Sequence, residues 1–521
     1  MKIKRAIVSV SDKTGLIPLV KELKRFKVEI FSTGGTLALL KKNKIAVRSI
    51  TELTGFPEIL EGRVKTLHPK VHGGLLFLRS SKTQALEAKK HGILPIDMVI
   101  VNLYPFRETI QKPGVSLKEA VEQIDIGGPS MLRSASKNFE SVAVVSDPKD
   151  YQAVIEAFKK GKGSLSTELR RSLAVKAFRH TSAYDREISR YLSNQLKLGQ
   201  DGELPAVFDE VFERSEILRY GENPHQRAAL YKRTGEPSRF SFQQFQGKEL
   251  SYNNIIDLES AVDVLREFKE PAACVIKHNN PSGISADPKI SVALAQAIEG
   301  DPLSAFGGIV GINETCDAHL AQLVFEKLPF FEVMIAPQYT KEALEILKSR
   351  KNLRIIQIQG LYDIEPYDFR VAKSGLMLQD RDRPIWEHEA KLKKSLRWVT
   401  EKKLEAKEVD DLIFAWKCAK VVRSNAIVLT KGKQTVGIGC GQMSRVDSVK
   451  LACMKAGERT KGTILASDGF FPMADNIEVA HGYGIRAIIQ PGGSIRDQEV
   501  IDTCNNLGIA MALTGERHFR H

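Results

Sequence analysis

The chain has 521 residues, 42% of them hydrophobic and 27% charged, with a formal net charge of +14. Such a length exceeds one hydrophobic core and implies two to four domains of ordinary soluble composition. No apolar run reaches the length of a membrane span, so a membrane partner is not expected.

The basic, then apolar start Met1–Val10 is interrupted by Ser11-Asp12-Lys13, too early for a signal peptide. It is read as a first strand, and the protein is expected in the cytoplasm. Six scattered cysteines without a CxxC pair suit reduced thiols and argue against structural zinc. The positive charge fits nucleic acid or anionic small molecules. Basic residues are mostly interspersed with acids, and Lys391 to Lys403 is read as a solvated helix or connector.

In chain order, strands are expected at Arg5–Val10, Val28–Ser32, Met98–Leu103 and Ser141–Val145. Helices are expected at Leu16–Lys24 and opening at Leu37–Lys42. This alternation predicts a parallel sheet covered on both faces, with ligands outside the C-terminal strand ends. Polar turns stand at those ends: Ser11-Asp12-Lys13-Thr14-Gly15 and Thr33-Gly34-Gly35-Thr36. Small residues before a helix start leave backbone N–H groups free for a phosphate. Gly62 to Gly74 adds Arg63, Lys65, His68, Lys70 and His72, read as a fixed loop able to wrap an anion. His68 and His72 lack an obvious third metal ligand. Asp125 precedes a helix running through Lys137-Asn138, either as a cap or as a functional acid.

Tyr151 to about Lys197 reads as helical. The turn-rich stretch Gly199–Pro205 is taken as the domain boundary. No internal repeat is visible. Ala272–Ile276 reads as a buried strand delivering Lys277-His278-Asn279-Asn280, after which Pro281 and Gly283 are expected to turn the chain. That polar burst is either a loop cap or a site. Gly437-x-Gly439-x-Gly441 lacks the spacing of a dinucleotide loop.

Twelve motifs, in order along the whole chain, carry a family resemblance. They are SVSDKTG, STGGT, GRVKTLHPKVHGG, VNLYPF and IDIGGPSMLRSASKN in the first part. LRYGENPHQ, LSYNNIIDLESA, KHNNPSG, DPLSAFGG, GIGCGQMSR, SDGFFPMADN and ERHFRH follow. The chain resembles the bifunctional purine-biosynthesis enzymes that join IMP cyclohydrolase to AICAR formyltransferase. The resemblance implies an α/β fold: an N-terminal methylglyoxal-synthase-like parallel sheet domain, then two cytidine-deaminase-like α/β units. It places the cyclohydrolase in residues 1–199 and the formyltransferase in 200–521, divided near 365–405. It implies AICAR, FAICAR and IMP as ligands, 10-formyltetrahydrofolate as co-substrate and a homodimer with formyltransferase sites formed across the interface. No PCxxC is present, so metal-free chemistry is expected.

By motif, Lys277 and His278 match the formyl-transfer pair, and Lys65, Tyr104, Asp125 and Lys137 the cyclisation residues. Ser11, Asp12, Lys13, Ser32, Thr33, Gly34, Gly35, Thr36, Arg63, Thr66, Asn102 and Ile126 match the first nucleotide cradle. Arg219, Tyr220, Gly307, Glu332, Asn425 and Arg445 match the second. Val446, Phe470, Asp475 and Arg517 match the folate side. Two departures stand out: Glu332 replaces an aspartate of some relatives, and Phe139 replaces a frequent histidine.

Two other readings are weighed. A deaminase-like hydrolase lacks its zinc cysteines. A nucleic-acid binder lacks the basic tail or aromatic platform such proteins use, so no nucleic-acid partner is expected.

Overall fold

A computed structural model describes residues 1–198, 204–234 and 239–521. Most of the expected boundary turn Gly199–Pro205, at 199–203, lies outside the described residues. The chain forms two compact units, Met1–Val207 and Phe208–His521.

In the first unit β1 (Arg5–Val10), β2 (Glu29–Ser32), β3 (Arg48–Ser49), β4 (Met98–Asn102) and β5 (Ala143–Val145) form a parallel sheet in the order β3-β2-β1-β4-β5. All five residues of β4 are buried, as a strand covered on both faces requires. Helix Leu16–Arg25 buries Leu16, Leu19, Val20 and Leu23, one face at helical spacing. The second helix starts at Gly34, three residues before Leu37, because Gly34 and Gly35 already form its first turn. The helical stretch expected after Tyr151 is two helices, Tyr151–Lys160 and Thr167–Gln195. Lys162 and Gly163 take positive φ between them, and Ser166 caps the second.

The second unit contains one twelve-stranded sheet among the described residues, β16-β21-β20-β19-β17-β18-β10-β9-β11-β12-β13-β8. Its strands are β8 (Ser241–Gln246), β9 (Ala272–Lys277), β10 (Asn280–Ala286), β11 (Ile309–Ile312), β12 (Val333–Ala336), β13 (Arg354–Gln359), β16 (Arg397–Trp398), β17 (Ile427–Lys431), β18 (Gln434–Gly439), β19 (Ile464–Ser467), β20 (Ala487–Gln490) and β21 (Ala510–Leu513). Two-stranded ribbons, β6 (Phe212–Leu218) with β7 (Ala228–Arg233) and β14 (Tyr367–Ala372) with β15 (Gly375–Asp380), stand apart from it.

The sheet is built twice. A helix (Tyr252–Arg266 or Val409–Lys420) leads into an antiparallel hairpin (β9–β10 or β17–β18). Three strands then alternate with helices (β11 to β13, or β19 to β21). The copies meet where β10 pairs antiparallel with β18, and β8 and β16 flank the two ends in equivalent places. No repeat is visible in the sequence, and what the two halves share is their order of elements and a few glycines. Both leading helices bury their faces in one core, where the Phe268 and Phe414 ring centroids lie 5.5 Å apart.

Equivalent glycines show how tightly each copy packs. A Cβ on Gly283 would sit 1.9 Å from the Ala297 carbonyl oxygen, and one on Gly437 would sit 2.2 Å from that of Ala452. Gly439 meets Ser448 in the same way, at 2.0 Å. These glycines let a strand touch the following helix, and no dinucleotide loop is formed. Gly437→Ala is expected to destabilise the second unit by about 1–3 kcal/mol, read as a lowered urea midpoint; an unchanged midpoint contradicts this packing.

The expected solvated connector at Lys391–Lys403 is more structured than that. Leu392 is buried in helix Glu389–Ser395, and Arg397–Trp398 forms the edge strand β16 on β21. Its apolar residues, not its charges, decide its place. No helix among the described residues is long and apolar enough to cross a membrane.

Candidate active sites

The first site lies at the C-terminal ends of β1, β2 and β4. Asn102 ends β4, and its Oδ1 accepts from the N–H groups of Ser11 (2.6 Å) and Asp12 (3.0 Å), while its Nδ2 donates to the Asp12 carbonyl (2.8 Å). Asn102 therefore braces the Ser11–Gly15 turn, with both ends of its amide occupied. Hydrogen bonds from Thr14 hold the Asp12 carboxyl below its usual range. Ser32 Oγ donates to the Val8 carbonyl (2.7 Å), and Thr36 Oγ1 bonds both the N–H and the C=O of Val10. Thr33 and Ser9 hydroxyls lie 3.1 Å apart. Ser32 thus ties β2 to β1 and Thr36 ties the second helix to β1, and both side chains are buried.

What faces outward is backbone and ammonium. The helix Gly34–Lys42 has no side-chain cap on its first N–H groups. Lys65 Nζ lies 3.7 Å from where a Cβ of Gly34 would stand, and Lys13 Cε 4.0 Å from that of Gly35. Two lysines over an uncapped helix start make an anion cradle. Lys65 also pairs with Glu58 at 3.4 Å, and the more exposed Arg63 pairs with Glu122.

Beside the cradle, Thr66 Oγ1 is 2.7 Å from a Cβ position at Gly127, the first residue of helix Gly127–Lys137. Ile126, exposed, precedes that helix. Asp125 Oδ1 accepts from Gly128 N–H at 2.8 Å. Burial pushes the Asp125 carboxyl up, against the pull of the Gly128, Tyr104 and Gly127 amides. Thr66, the Tyr104 backbone and Asp125 thus come together at this helix start, with Lys65 next to Thr66 in the chain. Lys137 is exposed at the far end of the same helix, ten steps from Gly127 or about 15 Å. The straight helix separates it from Asp125 within one chain.

His68 caps helix Pro69–Leu76, its Nδ1 accepting from Lys70 N–H at 3.1 Å, and His72 Nδ1 lies 2.9 Å from Ser134 Oγ. Burial pushes the His72 imidazole down. Among the described residues no group of three or more His, Cys, Asp or Glu could hold a metal. Phe139 packs on the core with its carbonyl accepting from Arg170 Nε at 3.0 Å.

A pH test follows from Asp125. If it acts as a base, it must be ionised. The rate is then lost as pH falls through a carboxyl titration displaced above the ordinary aspartate value of 3.8. The acid limb is expected above that range and absent in Asp125→Asn. An acid limb that survives the substitution contradicts the role.

The second site lies along one edge of the twelve-stranded sheet. Strand polarity collects there the end of β9, the starts of β10, β11, β12, β13 and β17, and the ends of β18 and β19. His278 and Asn279 form the two-residue turn of the β9–β10 hairpin, with φ of 51° and 65° and Lys277 paired to Asn280. Two successive left-handed residues are the geometry of a tight hairpin. The turn expected at Pro281 and Gly283 is instead strand β10, which admits Pro281 beside a bulge.

Lys277 Nζ donates to the Phe306 carbonyl at 2.5 Å and stands 3.9 Å from a Cβ position on Gly307, whose φ is +76°. Asn254 Nδ2 donates to Glu332 Oε2 (3.1 Å), which also pairs with Arg354 (3.4 Å). The Arg219 guanidinium lies 5.4 Å from the Tyr220 ring centroid, and the Tyr220 carbonyl accepts from Tyr252 N–H at 3.5 Å. Arg219, Tyr220, Lys277, His278, Gly307 and Glu332 therefore gather around the first hairpin and its leading helix.

Asn280 Oδ1 accepts from Arg423 N–H at 3.2 Å and joins this group to the second half of the edge. There Asn425 Oδ1 accepts from Arg445 Nη2 at 2.6 Å, and Arg445 also bonds Ser467 (2.9 Å) and pairs with the buried Asp468. Ser424 bonds the same carboxylate. Arg445 and Asn425 are thus held to each other and to Asp468. A Cβ on Gly469 would meet Phe519 at 2.6 Å, and the Arg517 guanidinium lies 4.7 Å from the Phe519 ring centroid. Phe470 is partly exposed, Asp475 opens helix Asp475–Gly482 with Oδ1 accepting from Asn476 N–H (2.7 Å), and Val446 stands in the first turn of helix Arg445–Ala456.

Residues 135–455 match the family model described as AICARFT/IMPCHase bienzyme, and residues 15–130 match that of the MGS-like domain. The chain is 48% identical to the bifunctional purine biosynthesis protein PurH of Acetivibrio thermocellus, over the whole of both chains. It is also 48% identical to PurH of Bacillus subtilis, again over the whole of both. PurH of Magnetococcus marinus is 46% identical over the same share of each. This chain belongs to the AICARFT/IMPCHase bienzyme family.

Its α/β architecture is that of the family: the MGS-like part is the parallel sheet with the first cradle, and a larger α/β region follows. Further residues brace those in the motifs. Tyr184 Oη accepts from Asp125 N–H (2.8 Å) and donates to the Gln123 carbonyl (3.1 Å), fixing the Asp125 loop from the last helix of the unit. Asn254, Arg354, Ser424 and Asp468 hold Glu332, Asn425 and Arg445. Asn254 and Asp468 lie inside motifs already singled out, LSYNN and SDGFF, and that membership was the available signal.

Proposed function

We propose that the two clusters divide the two reactions of the family, the last two steps of purine nucleotide biosynthesis. The edge of the twelve-stranded sheet transfers a formyl group from 10-formyltetrahydrofolate to AICAR, and the first unit closes the product FAICAR to IMP. The observation that carries this reading is the hairpin turn that puts Lys277 and His278 side by side in sequence at the sheet edge, next to Gly307.

In formyl transfer the 5-amino nitrogen of AICAR attacks the formyl carbon. The amine is conjugated with the carboxamide-bearing imidazole and is a poor nucleophile. His278 accepts its proton, directly or through the carboxamide. Lys277 stabilises the tetrahedral oxyanion. The bond from the formyl carbon to folate nitrogen then breaks, and tetrahydrofolate leaves with a proton. Arg219 and Tyr220 bind the nucleotide, and Phe470 and Arg517 lie on the folate side.

In ring closure the carboxamide nitrogen of FAICAR attacks the formyl carbon, and water leaves. The cradle of Lys13, Lys65 and the Gly34 helix start takes the phosphate. Asp125 accepts the carboxamide proton, and Lys65 with Tyr104 holds the developing oxyanion. A homodimer, cytoplasmic location and catalysis without metal complete the proposal.

The direct test supplies AICAR and 10-formyltetrahydrofolate and follows IMP by absorbance. Tetrahydrofolate and IMP are expected in equal amounts; consumption of neither substrate refutes the reading.

A further inference from the structure

The helix Tyr252–Arg266 sends three polar side chains, Asp257, Ser260 and Asp263, toward the hairpin turn and the C-terminal segment, at the three-residue spacing of one helix face. Asp257 Oδ1 accepts from the N–H of Asn279 at 2.6 Å, and the His278 N–H also points to this carboxylate. Ser260 Oγ lies 2.5 Å from the Asn279 side-chain amide. With that amide oriented to satisfy both ends, its nitrogen also donates to the Ile256 carbonyl (3.3 Å) and its oxygen accepts from Arg423 (3.3 Å). Asp263 pairs with Arg520 at 3.0 Å.

The turn needs this support. Left-handed backbone is unfavourable for a residue with a side chain, and here two in succession adopt it. Asn tolerates it better than His does. A tight turn of this kind prefers glycine in its second place, and this one has none. Chemistry has claimed the first place for an imidazole, so the strain must be held from outside.

We infer that Asp257 is a positioning residue for formyl transfer: by accepting the backbone N–H groups of the turn it keeps His278 left-handed and so fixes the direction of its imidazole. This rests on the role given to His278 above. Burial raises the Asp257 carboxyl, and the Asn279 amide and the nearby His278 act against that rise. A half-buried carboxylate with amide donors is a costly brace, which a turn free of strain would not require.

The experiment compares Asp257→Ala, Asp257→Asn and the double variant Asp257→Ala/Asn279→Gly in the full chain. Asp257→Ala is expected to lower kcat of formyl transfer roughly 10- to 100-fold with KM for AICAR kept within about twofold, the signature of misplaced chemistry. Asp257→Asn keeps an oxygen acceptor at the same place and is expected to stay within about threefold of wild type. Asn279→Gly removes part of the strain and is expected to recover part of the loss in the double variant.

AICAR binding measured by calorimetry reports whether the second unit is folded. Wild-type kcat in Asp257→Ala, or a loss confined to KM, overturns the inference. If Asp257→Ala fails to bind AICAR, Asp257→Asn decides: kcat tenfold or more below wild type overturns the acceptor role. His278→Ala separates the two levels. Unimpaired transfer in that variant removes the reading of His278 itself, whereas an inactive His278→Ala beside a normal Asp257→Ala removes only the brace.

Discussion

His278→Ala loses formyl transfer by about 10²- to 10⁴-fold, the usual contribution of a positioned general base, and retains cyclisation of FAICAR. The large effect follows from the acceptor's weakness. The AICAR amine gains nucleophilicity only as its proton departs, and His278 is the imidazole at the hairpin turn. The truncation leaves β9 and β10 paired through Lys277 and Asn280, so binding survives better than turnover. Initial rates of tetrahydrofolate release measure the first activity, and absorbance with supplied FAICAR measures the second. Formyl transfer near the wild-type rate in this variant rules out the proposed base.

Lys65→Ala has the opposite effect. It lowers cyclisation about 10²- to 10³-fold, the range for removal of one oxyanion donor, and leaves formyl transfer intact, so FAICAR accumulates. Lys65 serves twice. Its Nζ stands over the Gly34 helix start, where the phosphate charge would sit, and Thr66 beside it touches the Gly127 helix start next to Asp125. Both KM and kcat are therefore expected to suffer. Glu58, left without its 3.4 Å partner, adds a negative charge near the cradle and deepens the loss. A variant with normal cyclisation shows that the cradle binds something other than the reacting nucleotide.

Much of the fold was legible because burial writes a period into sequence. The apolar runs of β1, β4 and β9 are strands covered on both faces, and helix Leu16–Arg25 shows one clean stripe. Boundaries and turns were less legible. Pro281 and Gly283 are strong breakers locally, yet pairing with β9 and packing on Ala297 draw both into a strand. His278 and Asn279, which make the turn, carry no such signal. The doubled sheet was hidden because what the copies share is contact geometry at single positions, as where Gly283 meets Ala297 and Gly437 meets Ala452.

In the sites, the jobs of the motif residues were less readable. Asn102, Ser32 and Thr36 stand in nucleotide-cradle motifs and spend their polar atoms on the backbone around them. Sequence cannot tell a hydroxyl that ties strands from one that meets a ligand. Lys137 shares a motif with Asp125, and the straight helix Gly127–Lys137 carries it away from Asp125 within one chain.

The central claim is that one chain carries two separate centres, each sufficient for one reaction. The most direct measurement mixes His278→Ala with Lys65→Ala and supplies AICAR and 10-formyltetrahydrofolate. Each variant alone forms little IMP. Together they are expected to form it, because FAICAR made on the Lys65→Ala chain is closed on the His278→Ala chain. A mixture that accumulates FAICAR without IMP, or consumes no AICAR, contradicts the account.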